Sequence, residues 1–266
     1  MMGRFGIALL LVLGASVGIL RGQGTAAPGA IGDAPLLPEY REAPLPPAYG
    51  GVQVRIPGIY VTPVVNAPFT AKVQIVSQEQ LPDGTVRVRK TVNHIARQSS
   101  GRIYNERRQL VAPTFQGEPR LISAHIYDPS TRLNTYLNPV THIAQEIRMK
   151  QAAVAPNYGT TRMGVGKNPL LKEEELGEQA LGPVMLRGIR RSRTVPAAVS
   201  GTGKDVVVVD EYWYSAELEI YMIIKHNDPR TGEQIVAVSD VERGEPDGKQ
   251  FVVPGNYKRV DETPVD

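Results

Sequence analysis

Between Trp213 and Lys225, every second side chain belongs to one largely apolar set. This strict alternation constrains the chain more than any other feature of its sequence. Successive side chains of a β-strand point to opposite faces of the sheet, so a period of two is typical of a strand with one buried face and one wet face. The pattern therefore predicts a long two-faced strand. Its predicted core stripe consists of Tyr214, Ala216, Leu218, Ile220, Met222 and Ile224.

Turn signals divide the region from Phe69 to about residue 138 into a meander. Pro-Asp-Gly at 82–84 and Ser-Ser-Gly at 99–101 separate runs that are rich in β-branched residues, and Asp-Pro-Ser-Thr at 128–131 separates two further runs. The sequence predicts about five antiparallel strands here.

At 138–152, apolar residues recur at the spacing of a helix and interrupt the meander. Asn138 suits a helix N-cap, and Pro139 suits the first helical position. We therefore predict one short amphipathic helix, followed by a loop to about Pro169. The apolar residues that recur at helical spacing are Val140, Ile143 and Ile147.

The remainder of the chain returns to strand patterns, with the segment at 206–225 either continuous or broken. Together with the first meander it predicts an α+β domain, mainly β, over residues 69–259 and a tail at 260–266. Its core is a large curved antiparallel sheet, a meander of about nine to ten strands, with one or two short helices. The later predicted strands are 178–187, 189–195, 206–225, 233–242 and 249–253.

The N-terminus resembles a secretory signal peptide over residues 1–26. Arg4 precedes the uncharged apolar run Phe5–Leu20, and small residues follow it, with cleavage expected near Ala26 or Ala27. The run is shorter than the roughly 20 residues that a transmembrane helix needs. We expect export across the inner membrane, to the periplasm or the exterior. Retention of the segment as an anchor, with membrane contact through the N-terminus, is the alternative.

Residues 27–68 predict a proline-rich linker or arm. Nine prolines lie between residues 28 and 68. Such a segment cannot form helix and favours extended polyproline conformations, so it suits a spacer. A disordered leader is the other interpretation.

Composition excludes several classes of function. The chain has no cysteine, which rules out disulfides, acylation at a lipoprotein signal and thiolate or cysteine-metal chemistry. Without Arg4 and Arg21, 28 basic residues stand against 27 acidic ones. The mature charge is therefore close to neutral, and we expect no nucleic-acid partner.

Catalytic and metal-binding motifs are absent from the sequence. It contains no Gly-x-Ser-x-Gly elbow, no phosphate-binding loop and no His-Glu-x-x-His. We therefore predict no catalytic residue, no metal ligand and no cofactor.

Two pairs of side chains are candidates for catalysis or metal binding, against this prediction. Glu217 and Glu219 would lie about 6.5–7 Å apart on one face of the predicted strand. They could act as a general acid and base, or they could simply mark the solvent-facing side of the strand. His142 and Glu146, four apart on the predicted helix, could share a metal. We favour structural roles for both pairs. We expect His226, just before a turn, to bond a turn carbonyl or to face solvent.

A basic cluster is the strongest candidate for binding. Between Thr85 and Leu110 there are seven basic residues and one acidic residue. After the turn at 82–84, Val86, Val88 and Val92 are predicted to occupy the buried face of a strand. Arg87, Arg89, Thr91 and Asn93 would occupy its wet face. The next strand would carry Arg102 and Arg108 on one face. If hairpin register aligns that face with Arg87 and Arg89, a cationic patch forms that would suit lipid head groups, an anionic envelope polymer or an acidic envelope protein. The other interpretation is a solvated face that pairs with the acidic run Glu173–Glu175. The predicted patch residues are Arg87, Arg89, Arg102 and Arg108.

Seven motifs follow one another along the chain: DGT, SGRIYNERR and IYDP in the first half, then GIRRSRTVP, EYWYSAEL, KHNDPRTGE and FVVPGNY. Together they resemble a family of secreted bacterial β-rich proteins without assigned activity. The chain departs from the family at Gln98, where an acid is usual, and at Pro183, where glycine is common. The resemblance implies no catalytic residue. The pattern is also similar to envelope proteins of the lipoprotein-carrier type, in which a curved sheet wraps helices over an apolar cavity.

Three functional hypotheses follow. The first is an exported, non-enzymatic binding protein that holds an apolar or amphipathic ligand, or an envelope partner, against the concave face of the sheet. The second is a structural or interaction module of the cell envelope without a small ligand. The third is an exported hydrolase.

Overall fold

The computed structural model describes residues 59, 61–81, 83–149 and 169–264. These residues fall within one compact unit, Leu45–Asp266. The expected signal peptide, most of the expected linker and most of the predicted loop before Pro169 lie outside the described residues. Within the described part of the chain, no helix has the length and apolar character to span a membrane.

Twelve strands form one sheet in the described part of the chain, which also contains a short helix α1 (Ala197–Ser200) and a 3-10 turn (Gly248–Phe251). The strands are β1 (Phe69–Gln80), β2 (Val86–Arg97), β3 (Ile103–Arg108), β4 (Leu121–Asp128), β5 (Leu133–Asn138), β6 (Ile143–Arg148), β7 (Leu171–Leu181), β8 (Val184–Val195), β9 (Val206–Ser215), β10 (Ile220–Asp228), β11 (Gly232–Arg243) and β12 (Lys258–Asp261).

The sheet consists of two meanders joined side by side. Its spatial order is β12-β6-β5-β4-β3-β2-β1-β11-β10-β9-β8-β7. Strands β1 to β6 form one meander and β7 to β11 the other, and β1 pairs antiparallel with β11 to join them. All neighbours are antiparallel except β12, which lies parallel to β6. The predicted mainly-β class with a large antiparallel sheet is confirmed, with twelve strands in place of nine to ten.

The helix predicted at 138–152 is wrong. Asn138 Oδ1 accepts hydrogen bonds from the backbone N–H groups of Val140 (2.9 Å) and Thr141 (3.2 Å), and His142 has a φ of 53°. These contacts close a turn, after which β6 pairs with β5. An asparagine side chain that can cap a helix can equally close a turn, so the local signal is ambiguous.

The long strand predicted from Trp213 to Lys225 is also wrong, since a turn at Ala216–Glu219 separates β9 from β10. Of the two alternatives for 206–225, the structure has the broken one. Ser215 Oγ accepts a hydrogen bond from the N–H of Leu218 at 3.1 Å, and Glu219 has a φ of 54°. Leu218 is buried although it lies in a turn. The apolar alternation therefore runs on through the turn and conceals it.

Three further boundaries differ from prediction in the second half of the chain. Strand β7 begins at Leu171 rather than at residue 178, so it includes the acidic run Glu173–Glu175. Pro183 lies in the turn between β7 and β8, which breaks the strand predicted at 178–187. The strand predicted at 249–253 is largely the 3-10 turn Gly248–Phe251.

From Thr91 onward, the buried face of β2 is the opposite of the predicted one, whereas Arg87 and Arg89 at the start of the strand are exposed. Val86 is 52% exposed, whereas Thr91, Asn93 and Arg97 are buried. The physical reason is that the segment before β1 and the turn between β9 and β10 pack on this face, where they are hydrogen-bonded to the fully buried Arg97. Its guanidinium donates hydrogen bonds to the carbonyl oxygens of Ala67 (2.7 Å), Thr62 (2.8 Å) and Leu218 (2.8 Å).

The described residues before β1 pack on this same face of the sheet. Ile59 and Val61 are buried, and Val61 forms an antiparallel bridge with Ile220. The Arg97 guanidinium also lies 4.9 Å from the centre of the Phe69 ring. A core of Phe69, Ala71, Val73 and Ile75 from β1 and Val236 and Val238 from β11 lies here.

The opposite face carries a second core over β2 to β6. Phe251, from the 3-10 turn, packs on small and branched side chains of these strands, together with Tyr104, Val253 and Tyr257. The C-terminal segment therefore covers this face. The buried members are Ala96, Ala124, Ile126, Leu137, Ala144 and Phe251.

Candidate functional site

A groove of about 520 Å³ lies beside β2, against the loop that joins β3 to β4. Leu110 and Val111 are half-buried in it, and the ring of Phe115 is 43% exposed. We call this cavity the Arg89 groove. Its lining residues are Arg89, Gln109, Leu110, Val111, Ala112, Thr114 and Phe115.

Backbone hydrogen bonds hold the loop against β2. The N–H of Lys90 donates to the carbonyl of Val111 at 2.8 Å, and the N–H of Val111 donates back to Lys90 at 2.9 Å. Gln109 donates to the carbonyl of Arg120 at 2.9 Å, which closes the base of the loop. The apolar wall is therefore held in a fixed position beside Arg89.

Arg108, the last residue of β3, holds the far end of this loop through its guanidinium. Its guanidinium contacts Glu106 at 2.7 Å and Glu118 at 3.1 Å, and it donates to the carbonyl of Pro119 at 3.0 Å. Its side chain is only 11% exposed. Arg108 was predicted to bind a ligand, but its contacts are those of a residue that positions the loop.

Arg89 supplies the charge of the groove. It is exposed, and among the described residues its side chain has no hydrogen-bond or ion-pair partner. No acidic side chain occurs among the described residues that line the cavity. A ligand anion would therefore meet an unneutralised guanidinium beside an apolar wall.

The other two predicted arginines are paired. Arg87 lies two residues from Arg89 on the same face of β2, whereas Arg102 lies beyond the far end of the strand. Arg87 contacts Glu79 at 2.8 Å. Arg102 approaches Asp128 at 3.4 Å and donates to the carbonyl of Phe251 at 2.7 Å. The carbonyl of Arg102 accepts from Gln98, just past the end of β2, and the strand between Gln98 and Arg89 spans about 30 Å. The four arginines therefore do not meet in one patch.

A charged row that sequence reasoning missed crosses four strands of the second meander. Glu173, Arg191, Asp210 and His226 lie directly opposite one another in successive strand pairs. His226 Nδ1 lies 2.6 Å from Asp210 Oδ1, and Arg191 Nε donates to Glu173 at 2.8 Å. The hydrogen bond with Asp210 raises the pKa of His226 above its ordinary value, against the opposing effect of burial. Only the strand register brings these four residues together.

The pairs considered as catalytic or metal-binding groups have structural contacts. Glu217 and Glu219 lie in the turn between β9 and β10, and Glu217 pairs with Arg243 at 2.7 Å. The ring of His142 packs edge-on against Tyr257, while Glu146 lies 3.2 Å from Arg259. Within the described residues, no group of three or more histidine or carboxylate side chains is arranged to hold a metal ion.

Comparisons with known proteins give only distant likenesses. No family model matches the chain, and no curated protein matches it. An uncharacterised conserved protein from Thermus thermophilus is similar in structure at 10% identity and a TM-score of 0.39, with 74% of this chain and 91% of that chain covered.

Two envelope-type structures are similar at lower TM-scores. One is a LolA superfamily protein from Nitrosomonas europaea (12% identity, TM-score 0.28, 75% of this chain and 92% of that chain). The other is an outer membrane lipoprotein-sorting protein domain from Vibrio parahaemolyticus (8% identity, TM-score 0.27, 69% and 89%). They belong to the class of envelope protein that the sequence resemblance names. Likenesses this distant do not identify a ligand.

Proposed function

We propose that the chain is an exported, non-enzymatic binding protein that holds an anionic amphiphile in the Arg89 groove. The observation that carries the proposal is the juxtaposition of an exposed, unpaired Arg89 with the apolar wall formed by Leu110, Val111 and Phe115, all among the described residues. Export rests on the signal-peptide pattern of residues 1–26.

The size and chemistry of the groove support a lipid-like ligand. Small-molecule sites span about 300–1,000 Å³ and combine an apolar lining with a few polar groups that orient the ligand, and the groove of about 520 Å³ falls in this range. Phe115 and the apolar side chains beside it form a surface on which a ligand tail would pack. Arg89 would contact the anionic group, and the loop residues would contact the tail.

The test is a titration of the chain, purified without detergent, with two ligands that share their tails. Dioctanoyl phosphatidic acid carries a phosphate, whereas dioctanoylglycerol does not. We expect calorimetry to show tighter binding of the phosphatidic acid by about tenfold or more, a difference of about 1.4 kcal/mol. Arg89→Ala should abolish that preference and leave dioctanoylglycerol binding unchanged.

Two further variants make the result specific. Phe115→Ala should weaken both ligands, because the ring contacts the shared tails. Arg187→Ala, at an exposed arginine of β8 that pairs with Glu175, is the matched control for loss of charge and should bind like the wild type. Equal binding of the two ligands by the wild-type chain, or binding of neither, would contradict the proposal. Binding of neither would favour the envelope interaction module.

A further inference from the structure

Arg89 stands at one end of a row of polar side chains that crosses four adjacent strands. It lies opposite Ser77 of β1, Ser77 lies opposite Gln234 of β11, and Gln234 lies opposite His226 of β10. Residues directly opposite in paired strands share one face of the sheet. Neighbouring strands are about 4.8 Å apart, so the row extends for about 14 Å from Arg89 to His226. We call these four residues the polar row.

The polar row is open to a ligand. Arg89 and Gln234 are exposed, and Ser77 is half-buried. Among the described residues, none of these three side chains has a hydrogen-bond partner. The His226 side chain is 41% exposed, and Asp210 holds its Nδ1, so the ring is fixed with Nε2 as its remaining polar atom.

Within the described part of the chain, neither flank of the polar row places an unpaired acidic side chain next to Arg89. On one side, Ile75 of β1 and Val236 of β11 form a buried apolar margin on the same face. On the other side, Glu79 is neutralised by Arg87 at 2.8 Å. The polar row is therefore a strip of available donors and acceptors beside an apolar margin.

The chemistry of the polar row selects hydroxyl groups. The serine hydroxyl and the glutamine amide each donate and accept hydrogen bonds. A bare phosphate or carboxylate offers acceptors alone and would leave the amide oxygen of Gln234 unused. Hydroxyl groups both donate and accept, so a chain or ring of hydroxyls matches Ser77 and Gln234 in sequence.

We propose that the polar row binds the polyhydroxylated head group of an amphiphile whose phosphate contacts Arg89 and whose tails lie in the Arg89 groove. The inference rests on the proposed function and specifies its ligand as a phospholipid with a polyol head. Arg89 lines the groove and also begins the polar row, so the order tail, phosphate, polyol matches the order groove, Arg89, polar row.

The experiment compares dioctanoyl phosphatidylinositol with dioctanoyl phosphatidic acid, which have the same tails and phosphate. We expect the wild-type chain to bind phosphatidylinositol about tenfold more tightly, a difference of about 1.4 kcal/mol. Gln234→Ala and Ser77→Ala should each reduce this preference severalfold and leave phosphatidic acid binding unchanged. Gln179→Ala, at an exposed glutamine of β7, is the matched control and should keep the full preference.

The outcomes separate the two proposals. If phosphatidic acid binds in an Arg89-dependent manner but phosphatidylinositol binds no more tightly, the polyol inference is wrong and the proposed function stands. If the preference for phosphatidylinositol survives in Gln234→Ala and Ser77→Ala, the polar row is not the site that reads the head group. If phosphatidic acid does not bind, the proposed function itself fails.

Discussion

At the scale of single residues, Arg97 connects distant segments of the fold through one buried side chain. Its guanidinium is fully buried and hydrogen-bonded to three backbone carbonyls from the segment before β1 and the turn between β9 and β10. Burial lowers the pKa of Arg97 to about 10, and the nearby Glu219 and Tyr214 oppose that shift. A buried charge is tolerated only where it is hydrogen-bonded, so the three carbonyls stabilise the buried guanidinium, and the guanidinium connects the segments that supply them.

His226 should make the stability of the protein pH-dependent. Its pKa in the folded state is raised above the ordinary value of 6.5, mainly by the hydrogen bond with Asp210. The resulting stabilisation is fully present below the unfolded pKa and is lost as pH rises through the folded pKa. We expect the free energy of unfolding of the wild type relative to His226→Gln to fall as pH rises from about 6, in urea titrations at constant ionic strength.

Two variants test this assignment. Asp210→Asn removes the partner and should flatten the pH dependence in the same way as His226→Gln. His142→Gln, at the exposed turn between β5 and β6, is the matched control and should keep the dependence. Parallel pH profiles for wild type and His226→Gln would show that the pair makes no such contribution.

Among the elements, the hairpin of β10 and β11 depends on a backbone position that accepts only glycine. Gly232, which begins β11, has a φ of 119°, and a Cβ added there would overlap the carbonyl oxygen of Gln78 on β1. Both the backbone conformation and the clash exclude a side chain. The hairpin and its pairing with β1 therefore require glycine at this position.

Gly232→Ala should lower the free energy of unfolding by more than about 2 kcal/mol, because strain and overlap act together. Gly255→Ala is the matched control, since an added Cβ would meet no atom within 4 Å. Urea denaturation of both variants measures the difference. Similar losses in the two variants would mean that the β10–β11 hairpin tolerates a side chain at this position.

In the molecule as a whole, the pairing of β1 with β11 joins two otherwise local meanders. Val73 and Val238 are register partners at the centre of this junction although they lie far apart in the chain. Contacts between distant segments require costly loop closure before they stabilise the fold. We therefore expect formation of the β1–β11 junction to limit the folding rate.

Two substitutions of a buried side chain by alanine distinguish the β1–β11 junction from the outer strands. Val238→Ala should mainly slow folding, whereas Leu186→Ala, buried on β8, should mainly accelerate unfolding. Each should cost on the order of 1–5 kcal/mol at equilibrium. Stopped-flow folding and unfolding rates over a range of urea concentrations measure the two effects. Folding that slows equally in both variants would contradict a rate-limiting junction.

Local signals in the sequence were sufficient for the class of the fold and most of its hairpins. The period of two identified strands, and the turn signals of the sequence at 82–84, 99–101 and 128–131 fall between successive strands of the first meander. Alternation and turn chemistry depend on residues only a few positions apart. For the same reason, they misjudged the turn at Asn138 and the buried turn at Leu218, where one local pattern fits two conformations.

Which faces are buried and which residues meet became clear only from the tertiary structure. It turned Arg97 inward, assigned Arg108 to the support of a loop, and separated Arg102 from Arg89. It also aligned Arg89 with His226 across four strands. The physical reason is that strand order and register depend on pairing between distant segments, and a shift of one residue moves every side chain to the other face. The period of a strand identifies its two faces, but which face becomes the core depends on the segments that pack against it.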